Sequence, residues 1–188
     1  MGGGDKCLRR LGGRSILERV IERVRPQASR LLINANGDAA RFAEFGLPVA
    51  ADAVEGFVGP LAGVLTGMLW ARAHAPDVAD IVTVPTDGPF VPRDLVARCV
   101  AARDQAGAEL VQAASGGQVH PVVGLWPVRL AEDLRRTLVD EGVRKVDVWT
   151  ARHRLVTVEF ATTPVDPFFN ANRPEDLAEA ERLLDVAE

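Results

Sequence analysis

The chain has 188 residues, of which 47% are hydrophobic, and a formal net charge of −4. A domain of this length buries about 70% of the surface that its unfolded chain exposes, so we expect one domain over residues 1–188. No apolar run reaches the ~18 residues of a membrane helix, and no dense basic cluster favours nucleic acid. Residues 1–6 lack the apolar core of a signal peptide, and the two cysteines are isolated in the sequence. We therefore expect a cytoplasmic protein that binds neither membranes nor nucleic acid.

The first half of the sequence alternates short apolar strands with amphipathic helices. Ser15 and Glu18 have the spacing of a capping box, and the helical pattern that follows them ends at Pro26. A second helix opens at Pro60, which suits the first turn of a helix. Short buried strands are predicted at residues 31–33, 48–51 and 81–84, and the last of these has the composition of the most buried strand.

The second half of the sequence contains a predicted hairpin, with strands at residues 110–114 and 119–125 around a turn at 115–118. Helices, a last strand at residues 155–160 and a C-terminal helix that opens at Pro174 follow. The whole pattern indicates the α/β class, with a mainly parallel sheet, a small antiparallel hairpin and helices on both faces.

Short polar side chains follow several of the predicted strands. In chain order they are Asn34, Asn36, Asp52, Asp87, Asp166, Asn170 and Asn172. Each of them alone is an ordinary turn residue, and an isolated Asp87-Gly88 pair is more typical of a plain turn. Ligands of open α/β sheets bind outside the carboxyl ends of the strands, so the repeated placement favours a binding site there.

Two glycine-rich segments lie near these positions. Residues 2–6, which end at Lys6, could present backbone N–H groups and one positive charge to phosphate oxygens, although such a start is equally typical of a loose terminus. No Ser or Thr follows Lys6, so the spacing differs from that of a P-loop. Residues 59–63 could let a ligand approach the start of a helix, or let that helix pack tightly against the sheet.

Five ordered segments, together with His120 and the pair Arg144-Lys145, resemble the molybdenum cofactor guanylyltransferases. The segments are residues 2–6, 34–36, 59–63, 85–89 and 170–177. Members of that family join GMP from GTP to molybdopterin and release pyrophosphate, which forms the guanine dinucleotide cofactor. The resemblance covers essentially the whole chain and implies a Rossmann-like three-layer nucleotidyltransferase fold.

The resemblance also implies a role for individual residues. Lys6 would hold the GTP phosphates, while Asn34 and Asp52 would contact the nucleotide. Asp87 would bind the nucleotide together with Mg²⁺, and Asn172 would supply a second metal contact. Lys6 and Asp87 are thus the expected catalytic residues.

The acceptor side of the site follows from the same resemblance. His120, Arg144 and Lys145 would face molybdopterin, although His120 could also be a hydrogen-bonded strand residue. GTP and molybdopterin are the expected small-molecule partners, and proteins that insert molybdenum and the molybdoenzymes are the expected protein partners.

Two features depart from the family pattern. Gly88 stands where the family has threonine in an Asp-Thr-Pro motif, which leaves the carboxylate of Asp87 in place. The family also has a strand and a Leu-Ala-Gly-Gly loop ahead of the lysine that corresponds to Lys6. Without that strand we expect unpaired strand edges, lower stability and weaker binding of GTP.

Two other functions remain open from the sequence. One is a sister nucleotidyltransferase of the cytidylyltransferase type, and the other is a non-catalytic cofactor-binding protein with a degraded phosphate loop. A dinucleotide-dependent dehydrogenase is excluded because no Gly-x-Gly-x-x-Gly motif follows a strand.

Overall fold

Strands and helices alternate along the chain in the computed structural model, which describes residues 5–56, 59–171 and 174–187. In chain order they are β1 (Arg10–Leu11), β2 (Arg14–Ser15), α1 (Ile16–Val24), β3 (Ile33–Asn34), β4 (Val49–Ala50), α2 (Pro60–His74), β5 (Asp80–Thr83), α3 (Leu95–Ala106), β6 (Leu110–Ser115), β7 (Gln118–Pro127), α4 (Ala131–Val139), α5 (Val146–Thr150), β8 (Leu155–Phe160) and α6 (Pro174–Ala187). Within the described ranges, no helix is both long and apolar enough to cross a membrane.

Local sequence signals account for several of these boundaries. The capping box is present, since Ser15 Oγ accepts a hydrogen bond from the Glu18 N–H at 3.1 Å and the Glu18 carboxylate accepts one from the Ser15 N–H. Helix α2 begins at Pro60 as predicted. The β6–β7 turn contains Gly116 and Gly117 at φ +57° and +77°, the left-handed values that a tight hairpin turn requires.

The main sheet has four strands in the order β5-β7-β6-β8. Strand β7 is ten residues long and lies between β5 and β6, antiparallel to both, while β8 runs parallel to β6. Strands β3 and β4 form a separate parallel pair. The α/β class is confirmed, but the sheet is mixed rather than mainly parallel, because the second hairpin strand inserts between two strands that run in the same direction.

Helices cover both faces of the four-stranded sheet. On one face, Val111 and Leu125 belong to a buried cluster with side chains from α1, α3 and α6. On the other face, Leu110 and Trp126 pack with side chains from α2, α4 and α5. The predicted three-layer arrangement is therefore confirmed, and both layers of helices contribute to the core.

Helix α2 contacts both the β3–β4 pair and the four-stranded sheet. A Cβ atom added to Gly63 would lie 2.6 Å from Asn34 Oδ1 in β3, and one added to Gly67 would lie 2.8 Å from Ile81 Cδ1 in β5. Both distances are shorter than real Cβ contacts, so a side chain at either position would force the end of the Asn34 or Ile81 side chain to move. Gly63 thus packs closely against Asn34, and it also lines the cavity together with Gly59, so both interpretations of residues 59–63 stay predictions.

A cavity of about 650 Å³ remains between β3 and β5. Its apolar walls include Leu17, Val20, Leu31, Ile33, Val64 and Val82. Within the described ranges, β3 pairs only with β4 and β5 pairs only with β7, so neither strand has a partner on its second edge. All four residues of β5 are half-buried. The prediction that this strand is the most buried one is wrong, because one of its edges faces the cavity.

The cavity supports the prediction that an additional upstream strand stabilises this fold. A version of the protein that is extended upstream of Met1 by an apolar strand should fill the cavity and pair with the edges of β3 and β5. Even about 2 kcal/mol of net stabilisation would raise the melting temperature of a protein of this size by about 4–8 °C. Thermal melts of both versions measure the difference, and equal melting temperatures would contradict this account of the cavity.

Candidate functional site

The carboxyl ends of β3, β4, β5 and β6 all supply polar residues. Asn34 ends β3, Asp52 follows β4, Thr86 and Asp87 follow β5, and Ser115 ends β6. Asn34, Asp52 and Thr86 also line the cavity. The sequence-based prediction that residues after successive strands contribute to one region is consistent with this arrangement.

Two asparagine side chains hold the carboxylate of Asp52. Asn34 Nδ2 donates to Asp52 Oδ1 at 3.1 Å, and Asn36 Nδ2 donates to Asp52 Oδ2 at 2.8 Å. The Asn36 side-chain oxygen in turn accepts a hydrogen bond from the Asp52 N–H at 2.8 Å, and Asn34 Nδ2 also donates to the Ala50 carbonyl at 3.1 Å. The carboxylate is therefore fixed by neutral amide donors and keeps further lone pairs for a ligand.

The segment that carries Lys6 is connected to this network by an arginine. Arg41 forms an ion pair with Asp5 and donates hydrogen bonds to the carbonyl oxygens of Asn36 at 2.5 Å and Asp38 at 2.6 Å. Lys6 itself is exposed and opens a single turn of 3₁₀ helix. Arg41 was not identified from the sequence, because the sequence of residues 39–45 does not indicate which loops the Arg41 side chain contacts.

The same segment also contacts the end of β5. Burial raises the pKa of the Cys7 thiol, and the negative charges of Asp5 and Asp87 raise it further, while a hydrogen bond with Thr86 opposes the shift. Cys7 therefore stays a neutral thiol at neutral pH. Asp87 is half-buried, and its carbonyl oxygen accepts a hydrogen bond from the Ala171 N–H at 3.2 Å. The structure thus brings the Lys6 segment and the Asp87 loop together.

The chemistry of these side chains limits the kind of metal site that they can form. In the described part of the chain, no group of three or more His, Cys, Asp or Glu side chains could hold a metal ion. Mg²⁺ needs few protein ligands, since substrate phosphates and water complete its coordination. The Asp87 carboxylate fits such a role. Asn172 lies outside the described residues, so its metal contact stays a prediction.

A second polar cluster lies at the hairpin. The Ser115 hydroxyl donates to Asp166 Oδ1 at 2.8 Å, and His120 Nε2 lies 2.7 Å from the same hydroxyl oxygen. Burial lowers the pKa of His120, while the charges of Asp166 and Glu159 oppose that shift. His120 is therefore a strand residue with a hydrogen-bonded side chain, and its place on the molybdopterin side stays a prediction. Ser115 was interpreted only as a turn residue, because its partner Asp166 is far away in the sequence.

The other two residues of the predicted acceptor side lie on the surface. Arg144 and Lys145 are exposed and directly precede α5. A Cβ atom added to Gly59 would lie 3.7 Å from the Arg144 carbonyl oxygen. The backbone before α5 therefore approaches the start of α2.

The sequence of the chain is similar to a known family over most of its length. The family model described as the MobA-like NTP transferase domain matches residues 1–155. A relative from Rhodopseudomonas palustris (strain BisB5), named molybdenum cofactor guanylyltransferase, is 57% identical over 183 residues. That match covers 97% of this chain and 87% of the relative.

Solved structures agree with this similarity at the level of the fold. Molybdopterin-guanine dinucleotide biosynthesis protein A from Archaeoglobus fulgidus superposes with a TM-score of 0.72 at 22% identity, covering 97% of this chain and 92% of that one. The 2-C-methyl-D-erythritol 4-phosphate cytidylyltransferase from Thermus thermophilus gives a TM-score of 0.67 at 20% identity, covering 98% and 96%. On the sequence match, the chain belongs to the molybdenum cofactor guanylyltransferases, within the MobA-like NTP transferase family.

Proposed function

We propose that the protein transfers GMP from GTP to molybdopterin in a Mg²⁺-dependent reaction that releases pyrophosphate. The observation that carries this proposal is the Asp52 carboxylate, which is fixed by Asn34 and Asn36. Asp52 follows β4, and Asp87 follows β5, which is the next strand along the chain. The names of the close relatives support guanylyl transfer over the cytidylyl alternative. Function in the cytoplasm, and contact with molybdenum-insertion proteins and molybdoenzymes, are part of the same proposal.

The proposed base recognition follows from the hydrogen bonds of Asp52. Guanine presents two neighbouring N–H donors on its pairing edge, whereas adenine and cytosine each present one donor beside an acceptor. A carboxylate accepts about four hydrogen bonds, and the two amide donors of Asn34 and Asn36 leave lone pairs on both oxygens. Guanine can satisfy both of these acceptors, while the other two bases would place a lone pair against one of them.

The proposed transfer needs charge stabilisation and alignment rather than acid–base chemistry. A phosphate oxygen of molybdopterin forms a bond to the α-phosphorus of GTP, and the bond from that phosphorus to the pyrophosphate oxygen breaks. Asp87 would hold Mg²⁺, which when bound neutralises the phosphates and the leaving group. Lys6 would contact the same phosphates as a point charge. The attacking phosphate is already anionic at neutral pH, so no general base is required.

The first prediction from this mechanism concerns Asp87. The substitution Asp87→Asn should lower the rate of pyrophosphate release by at least about 100-fold, because it removes the charge that holds the metal. The matched control is Asp94→Asn, since Asp94 is exposed and its side chain makes no capping hydrogen bond. The rate with saturating GTP, Mg²⁺ and molybdopterin is measured beside the melting temperature. A near-wild-type rate of pyrophosphate release by Asp87→Asn would show that the reaction does not require the Asp87 carboxylate.

The choice of base provides a second prediction. In the presence of Mg²⁺, GTP should bind at least about 100-fold more tightly than ATP or CTP, because a wrong base leaves an oxygen of the Asp52 carboxylate without a hydrogen-bond donor. Asp52→Asn should remove most of this preference, since the amide replaces one acceptor by a donor. Titration calorimetry with each triphosphate measures the constants. If all three bind the wild-type protein equally well, the guanylyl proposal is wrong.

Two glycines in the same region provide a matched pair of variants. A methyl group at Gly63 would collide with Asn34 Oδ1, whereas one at Gly88 would meet its neighbours at ordinary distances of 3.5 Å or more. Gly63→Ala should therefore displace the Asn34 side chain from Asp52 and weaken GTP binding by about tenfold, the cost of about one good hydrogen bond. Gly88→Ala should bind GTP within about twofold of wild type. Equal GTP affinities of the two variants would show that Asn34 does not contribute to nucleotide binding.

A further inference from the structure

The segment 166–171 is hydrogen-bonded at both ends to parts of the proposed site. At its start, Asp166 Oδ1 accepts the hydroxyl proton of Ser115 at 2.8 Å. At its end, the Ala171 N–H donates to the carbonyl oxygen of Asp87 at 3.2 Å. The segment therefore links the β6–β7 hairpin to the loop that carries the proposed metal ligand.

The direction of each hydrogen bond in the hairpin cluster can be assigned. A serine hydroxyl has one proton, and that of Ser115 is donated to Asp166. His120 must then donate its Nε2–H to the Ser115 oxygen across 2.7 Å. The N–H of Phe168 supplies a second donor to Asp166 Oδ1 at 3.0 Å, and the Phe168 ring lies 4.6 Å from the His120 ring between centroids. Every polar contact in the cluster thus fixes the position of Asp166.

The order of this cluster excludes nucleophilic catalysis by the serine. In a hydrolytic triad the histidine lies between the serine and the carboxylate, where it can take the serine proton. Here Ser115 lies between His120 and Asp166, and its proton already points to the carboxylate. Ser115 is also only 2% exposed, so no substrate can reach it. The contacts instead anchor a chain segment.

A hydrogen-bonded anchor matters here because the segment belongs to no helix or strand. It lies between the end of β8 and the start of α6, and its Asn170 side chain lies beside Gly88, since a Cβ on that glycine would be 3.6 Å from Asn170 Oδ1. An irregular segment loses conformational entropy when it is held in one position. Contacts that already hold the segment before the substrate binds reduce the conformational entropy that is lost during the reaction.

We propose that Ser115 and Asp166 are positioning residues for Asp87, with His120 fixing the direction of the Ser115 hydroxyl. They hold the segment 166–171 so that the Ala171 N–H keeps the Asp87 loop in place for metal binding. This role rests on the proposed function, because it assigns the metal contact to Asp87. It concerns the geometry of hydrogen bonds and not the charge of Asp166.

The test compares a variant that removes the anchor with one that keeps its geometry. Asp166→Ala and Ser115→Ala remove the anchoring hydrogen bond, whereas Asp166→Asn retains an acceptor oxygen for both donors. The matched control is Thr157→Ala, which removes the hydrogen bond from Gln112 to Thr157, between β6 and β8, at 2.9 Å and leaves the segment untouched. Two quantities are measured on each folded variant: the exchange rate of the Ala171 amide by NMR, and the Mg²⁺ concentration that gives half-maximal pyrophosphate release.

In Ser115→Ala and Asp166→Ala, we expect both the amide exchange rate and the half-maximal Mg²⁺ concentration to rise about tenfold. Asp166→Asn and Thr157→Ala should stay within about threefold of wild type, and KM for GTP at saturating Mg²⁺ should be unchanged in all four. Unchanged amide exchange and Mg²⁺ dependence in Ser115→Ala and Asp166→Ala would overturn the positioning role, as would an Asp166→Asn variant as impaired as Asp166→Ala. A wild-type protein that transfers no GMP would instead contradict the proposed function, and the amide exchange would still test the anchor.

Discussion

Helix α2 packs closely against two separate β-sheets, and a glycine faces a side chain of each sheet. Gly63 faces Asn34 of β3, and Gly67 faces Ile81 of β5, each so closely that a methyl group on the glycine would displace the end of the facing side chain. This close approach sets β3–β4 beside the four-stranded sheet, across the cavity. The oxygen of Thr66, on the same helix, accepts a hydrogen bond from the Ala53 N–H at 2.9 Å and so fixes the chain next to Asp52. The relative position of the proposed base and metal contacts therefore depends on the packing of one helix.

The sequence predicted local features better than the arrangement of the strands. The capping box of Ser15 and the hairpin at residues 115–118 depend on neighbouring residues, and both are present. The mixed sheet was missed because strand order depends on contacts between distant segments, which apolar patterns do not contain. For the same reason the pattern at 81–84 did not indicate that one edge of β5 faces a cavity. That residues 1–188 form one domain stays a prediction.

The candidate site shows the same division. Asn34, Asp52 and Asp87 were predicted from their places after strands, and the structure puts Asn34 and Asp52 in direct hydrogen-bond contact. Arg41 and Ser115 were not identified, because each acts through a partner that only the folded chain brings near. The similar fold of a cytidylyltransferase shows that the architecture alone does not select a base. We propose that selection depends on the two carboxylate oxygens of Asp52, which Asn34 and Asn36 hold in place.

The central claim is that one site holds the guanine at Asp52 and the metal-bound triphosphate at Asp87. A crystal structure of the protein with GTP and Mn²⁺, in which the metal is located by its anomalous scattering, tests this most directly. We expect Mn²⁺ bound directly to the Asp87 carboxylate and the pairing edge of guanine in hydrogen-bond contact with the Asp52 oxygens. A nucleotide bound with its base away from Asp52, or a metal with no contact to Asp87, would contradict it.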